Sequence, residues 1–152
     1  MSSTTDKDFQ ASANKFITHW IFKRPKWEIA MSESTCSDCY GFVKRFYNDV
    51  ANIQLPELQL DTGNLIELAR AFKEKLPVAL QNGWEQVSHP EPFCVVAMGR
   101  KGNVYHFGLY HPDGVVVHVS MNQGVIARPL SLIQASLGYS EFKFYVHKDL
   151  KL

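Results

Sequence analysis

The sequence predicts an α+β domain in which N-terminal helices pack on a C-terminal antiparallel β-sheet. Three observations point there. Apolar residues recur at helical spacing through the first half of the chain, and from Pro92 onward they give way to short β-rich runs separated by glycine-bearing turns. No repeat, low-complexity tract or linker divides the 152 residues, so residues 1–152 are expected to form one domain. Helices first and strands afterwards is the order of the α+β class. A hydrophobic share of 45% with a charged share of 20% belongs to a chain that buries a core. At this size roughly two thirds of the unfolded surface is buried on folding, and no staple is required.

Taken in order, residues 1 to about 8 are polar and expected to be loose. Ala13, Phe16, Ile17, Trp20 and Ile21 then form one face of a helix that should end before Pro25. After a Ser/Thr-rich stretch, Phe42, Val43, Phe46, Tyr47 and Val50 form a second helical stripe, with Asp38 as its N-cap and Cys39 in its first turn. Asn64 and Glu67 in capping-box spacing, followed by Leu65, Leu68, Ala69, Phe72 and Leu76, predict a third helix ending near Pro77 or Gly83. Strands are predicted over Phe93 to Met98, Val104 to Tyr110, Val115 to Val119, Val125 to Ala127 and Phe142 to Val146. Asp113-Gly114 between two of them is a hairpin signal. A turn centred on that pair sets His118 opposite Leu109 and His106 opposite Met121.

Composition excludes several function classes. Sixteen basic against fifteen acidic residues give a formal charge of +1, so no overall field draws the chain to nucleic acid or anionic lipid. Lys23-Arg24-Pro25-Lys26 reads as a solvated turn after a helix. No apolar run is long enough for a membrane span, and the first residues lack the charged and apolar regions of a signal peptide. The expectation is synthesis in the cytoplasm without a signal peptide. Three cysteines, Cys36, Cys39 and Cys94, are an odd number in such a chain and argue for thiols over a disulfide framework.

Cys39 carries the chemical signal. A helix N-terminus supplies about half a positive charge, which favours thiolate, and its unpaired N–H groups can receive an oxyanion. A base must come from His19, His89, His106, His111, His118 or His147. Of these, His106 and His118 lie in predicted strands joined by a tight turn, which permits contact without requiring it. A helix-start cysteine with two strand histidines fits a Cys-His-polar triad. The same residues are also compatible with two sheet histidines and a small buried thiol.

At these residues the sequence resembles the NlpC-type cell-wall cysteine peptidases. Asp38-Cys39-Tyr40-Gly41-Phe42-Val43 looks like the family's Asp-Cys-Ser-Gly-Phe/Leu-Val nucleophile motif. His106-Phe107-Gly108-Leu109-Tyr110 resembles its His-Val-Gly-Ile-Tyr strand, and Val117-His118-Val119-Ser120 the strand bearing the third triad residue. Asn52 to Pro56, Trp84 to Val87 and Pro90 to Pro92 further resemble the branch found among phage tail assembly peptidases.

The resemblance implies a papain-like fold and hydrolysis of a peptidoglycan stem-peptide bond, typically from γ-D-glutamate to diaminopimelate or lysine. Cys39 would be the nucleophile, His106 its base and His118 the residue orienting the base, with Trp27, Asp38 and Tyr40 near the substrate. No metal or cofactor is implied. The implied partners are the stem peptide and a delivery system such as a phage tail or an export machine, with no nucleic acid. Three departures stand out: Tyr40 replaces a small serine, Phe93-Cys94 replaces a Gly-Asp pair at the first sheet strand, and Trp27 stands about where the family often has a tyrosine.

Other readings compete. Cys36-x-x-Cys39 could belong to a redox dithiol, but no strand precedes it, or to a zinc site completed by Cys94 and a histidine, but no second ligand pair of that type is present. A non-catalytic binding or tail-structural module, and a thiol acyltransferase or amidase acting on another substrate, are the alternative functions.

Overall fold

The computed structural model describes residues 4–23, 39–55, 74, 83–101, 103–120, 123–136 and 138–150. Helix α1 spans Thr4–Lys23 and α2 Cys39–Val50. The helix expected before Pro25 is present, but it begins at Thr4, so most of the segment expected to be loose is helical. Phe9 explains the difference. It stands one turn before Ala13, and its ring packs edge-on against Phe46 and Phe93 at 6.4 and 5.4 Å, which anchors the first turns. In α2, Cys39, Phe42, Val43, Phe46 and Tyr47 are buried, the stripe expected of a helix with one face in the core. Asn52 closes α2 in the left-handed conformation (φ 58°), and the Ile53 N–H donates back to the Tyr47 carbonyl at 2.9 Å. The predicted third helix lies outside the described residues except for Glu74, which is helical.

Six strands follow: β1 Trp84–Val87, β2 Val95–Arg100, β3 Asn103–His111, β4 Val115–Ser120, β5 Gly124–Pro129 and β6 Glu141–His147. A short helix, α3 (Leu130–Ser136), joins the last two. The sheet is antiparallel in the order β1-β6-β2-β3-β4-β5. The predicted meander covers β2 to β5, while β6 returns to the far side of β2 and pairs there with β1. Strand β1 went unpredicted because four residues with two exposed leave almost no alternation to read. Helix α3 went unpredicted because its one buried residue, Ile133, leaves no apolar stripe.

The sheet is buried on both faces. Val95, Ala97, Phe107, Leu109, Val117, Val119 and Tyr145 join the core formed with α1 and α2. Cys94, Val96, Met98, Val116 and Phe144 form a second cluster with Ile133 of α3. The N-terminal helices therefore cover one face as expected, and α3 adds a smaller cover on the other. No helix among the described residues is long and apolar enough to cross a membrane.

Tyr47 ties α2 to the sheet. Fully buried, it donates its hydroxyl to the Phe93 carbonyl at 2.5 Å, where Phe93 holds a positive φ of 61° before β2 begins. The Phe93 N–H in turn donates to Tyr110 of β3 at 2.7 Å. Phe93-Cys94 thus has a structural task. Replacing Tyr47 with phenylalanine leaves a buried carbonyl short of a donor. The variant is expected to lose about 1–3 kcal/mol, read as a lower urea midpoint at unchanged slope.

Candidate active site

Loop length decides where the two strand histidines point. The β3–β4 connection has three residues, Pro112-Asp113-Gly114, and His111 pairs with Val115 across it. Gly114 takes φ 87°, and its N–H donates to the His111 carbonyl at 2.9 Å, the three-residue hairpin with glycine in the left-handed position. The sequence reading placed a two-residue turn here, and its register is off by one: His118 stands opposite Gly108, not Leu109. A one-residue slip moves every side chain to the other face of the sheet. With the observed register, His118 shares a face with Gly108 and hence with His106, two residues along the same strand.

The two imidazoles meet across this diagonal. His106 Nε2 and His118 Nδ1 are 2.9 Å apart, with the rings perpendicular and their centroids 5.0 Å apart. Both residues are buried. Gly108 makes the approach possible, because a Cβ there would lie 2.7 Å from Val116 Cγ1 and 3.2 Å from His118 Cβ. A bulge also sits beside His106: Met98 pairs with His106 but Gly99 pairs with Val104, so residue 105 is extra on β3. Such bulges re-aim neighbouring side chains.

Burial, and secondarily His118, pushes the His106 pKa down to about 3. Burial, and secondarily the Arg128 guanidinium, pushes that of His118 down to about 4. Both rings are therefore neutral near pH 7, and one ring donates to the other. If His106 Nε2–H donates, His106 keeps a lone pair on Nδ1 and can act as a base. His118 Nε2 then carries a proton, and this atom is buried without a partner among the described residues.

Cys39 is the first residue of α2, buried in the core on the helical face of the sheet. By strand alternation the histidines belong to the other face, that of Met98, Val96 and Val116. A ring contact joins their sequence neighbours. Tyr40, next to Cys39, meets Phe107, next to His106, edge to face at 6.0 Å. The structure thus brings His106 and His118 together and sets the thiol on the helix packed over their strands. Trp27, Cys36 and Asp38 lie outside the described residues.

Among the described residues, Cys94, His111 and His147 have structural settings. Cys94 is fully buried in the second cluster, and burial pushes its thiol up to about 11, which disfavours the reactive thiolate. His111 accepts the Asp113 N–H on Nδ1 at 3.1 Å and reaches Asn14 of α1 with Nε2 at 2.8 Å. His147 accepts the Asp149 N–H in the same manner and meets the Trp84 ring. His19 and His89 are exposed. Tyr139 was not singled out from sequence, yet its ring lies parallel to that of His106, with 5.7 Å between centroids.

Helices on an antiparallel sheet, a cysteine at a helix start and paired strand histidines define a class, and the solved structures agree on its fold. No family model and no curated protein matches the chain. The NlpC/p60 domain of the peptidoglycan hydrolase SagA is similar in structure, with a TM-score of 0.52 at 15% identity over 91% of this chain and 96% of that one. The P60 domain of the M. avium subspecies paratuberculosis antigen MAP1204 gives 0.51 at 9% identity, over 95% and 98%. The chain has the α+β fold of NlpC/p60 domains.

Proposed function

We propose that this chain is a cysteine peptidase that hydrolyses a stem-peptide bond of peptidoglycan, with Cys39 as nucleophile, His106 as base and His118 as the residue orienting the base. The observation that carries the reading is the buried 2.9 Å contact between His106 Nε2 and His118 Nδ1. It engages His106 Nε2, and the reading assigns Nδ1 to the thiol. The NlpC/p60 fold and the resemblance around Cys39, His106 and His118 support the same assignment.

The proposal requires the Cys39 thiol, which starts α2 on the helical face of the sheet, to reach His106 Nδ1 on the other. Cys39 Sγ attacks the scissile carbonyl carbon and its proton passes to His106 Nδ1, while N–H groups of the first turn of α2 receive the carbonyl oxygen. Collapse of the tetrahedral species breaks the C–N bond, and His106 returns the proton to the leaving amine. Water then attacks the thioester with His106 again as base, releasing the acid and restoring the thiol. Burial disfavours a lone positive charge on His106, so it takes the proton as negative charge develops on sulfur or oxygen beside it. The γ-D-glutamyl bond to diaminopimelate or lysine is the proposed target. The resemblance of Asn52 to Pro56, Trp84 to Val87 and Pro90 to Pro92 to the phage tail branch supports delivery by a phage tail, with an export machine as the other proposed route.

Purified peptidoglycan is expected to release new amino termini with the wild-type chain and none with Cys39→Ala. Iodoacetamide should alkylate Cys39 well ahead of Cys94, with activity falling in step. Release by a folded Cys39→Ala variant, or activity lost with alkylation elsewhere, refutes the assignment. Dialysis against a strong chelator should leave the rate unchanged.

A further inference from the structure

We infer that Tyr139 is a positioning residue for His106, holding the plane of the imidazole so that Nε2 stays on His118. The role rests on the proposed peptidase reading and adds to it a residue outside the Cys-His-His set.

The Tyr139 and His106 rings are within 4° of parallel, with centroids 5.7 Å apart, an offset stack. A stack covers a ring's face and leaves its edge open, which is where both nitrogens form hydrogen bonds. His118 approaches that edge, its ring at 90° to His106. Rotating the His106 ring half a turn about its Cβ–Cγ bond would put carbon where Nε2 now meets His118. With one face covered by Tyr139, the ring cannot sweep through that rotation without displacing the tyrosine.

Tyr139 is itself held from both sides. The Arg100 side chain, at the end of β2, donates to the Gly138 carbonyl, and the Ser140 N–H donates to the Gly99 carbonyl at 3.0 Å. The residues before and after Tyr139 are thus pinned to the same end of β2, next to the bulge that precedes His106. Phe142 meets the Tyr139 ring edge-on at 6.3 Å, and Tyr139 packs against the second cluster. Tyr139 is half-buried. The stacking face does the positioning, and the hydroxyl is not needed for it.

The test compares Tyr139→Phe, which keeps a stacking ring, with Tyr139→Leu, which keeps apolar bulk without one. Ring-nitrogen NMR of uniformly ¹⁵N-labelled protein reads the tautomer and titration of His106, and peptidoglycan turnover is measured in parallel. Tyr139→Phe should match the wild type in both. Tyr139→Leu should remain folded, show His106 exchanging between tautomers with its titration moved up toward 6.5, the ordinary histidine value, and lose on the order of tenfold or more in kcat with KM little changed. A folded Tyr139→Leu with the wild-type His106 spectrum overturns the inference, as does a Tyr139→Phe variant as impaired as Tyr139→Leu. Because the spectrum reads His106 without substrate, it decides the positioning role even where the wild type leaves peptidoglycan intact, an outcome that would sink the peptidase reading alone.

Discussion

Asparagine at position 106 is expected to be as damaging as alanine, with turnover down on the order of a hundredfold or more, whereas asparagine or glutamine at position 118 should retain more activity than alanine. The asymmetry follows from what each imidazole is asked to do. His106 must take a proton from the thiol and give it to the leaving amine, and no amide titrates near neutral pH. In the proposed tautomer His118 must only accept a hydrogen bond from His106 Nε2–H across the 2.9 Å contact, and an amide oxygen can do that. With His118 Nδ1 as acceptor, its buried Nε2 carries a proton that finds no partner among the described residues. The measurement is muropeptide turnover set beside thermal midpoint for each purified variant. If activity falls only in proportion to stability at both positions, or if a folded His118→Asn is no better than His118→Ala, the assigned roles are wrong.

What could be read in advance was what local pattern encodes. The helical stripe from Cys39 to Tyr47 and the run of short strands were legible because alternation and helical spacing report directly which residues face a core. Pairing was harder. Asp113-Gly114 announced the hairpin, but Pro112 extends the loop to three residues, and that single residue decides whether His118 faces His106 or turns away. Gly108 was visible only as part of a motif. Its task is steric, a bare position opposite His118, and it emerges once the register is known. Tyr139 had no local signal, since its place over His106 depends on β6 returning beside β2, a long-range pairing that alternation within either strand does not specify.

Acid should unfold the wild type well above the pH at which its carboxylates are fully protonated, and the two buried histidines are the cause. In the unfolded chain each takes up a proton near pH 6.5, whereas in the folded protein burial and neighbouring groups hold His106 near 3 and His118 near 4. Between those limits the unfolded state binds more protons than the folded one, so stability falls as pH falls. Above about 6.5 neither state is protonated and the contribution is fully present. Each histidine steepens the loss by up to about 1.4 kcal/mol per pH unit, so that going from pH 7 to pH 5 costs about 2 kcal/mol for each, with the coupling between them making the sum approximate. Two such terms are a large part of the roughly 5–15 kcal/mol that holds a domain folded. Urea midpoints measured across pH 7.5 to 4 should therefore drop steeply for the wild type. The double variant His106→Gln/His118→Gln should start from a lower midpoint at pH 7.5 and then fall much less, so that the two curves converge or cross in acid. Parallel curves for the two proteins would mean that the imidazoles are not held neutral by the fold, and the buried His106–His118 contact on which the site depends would fall with that result.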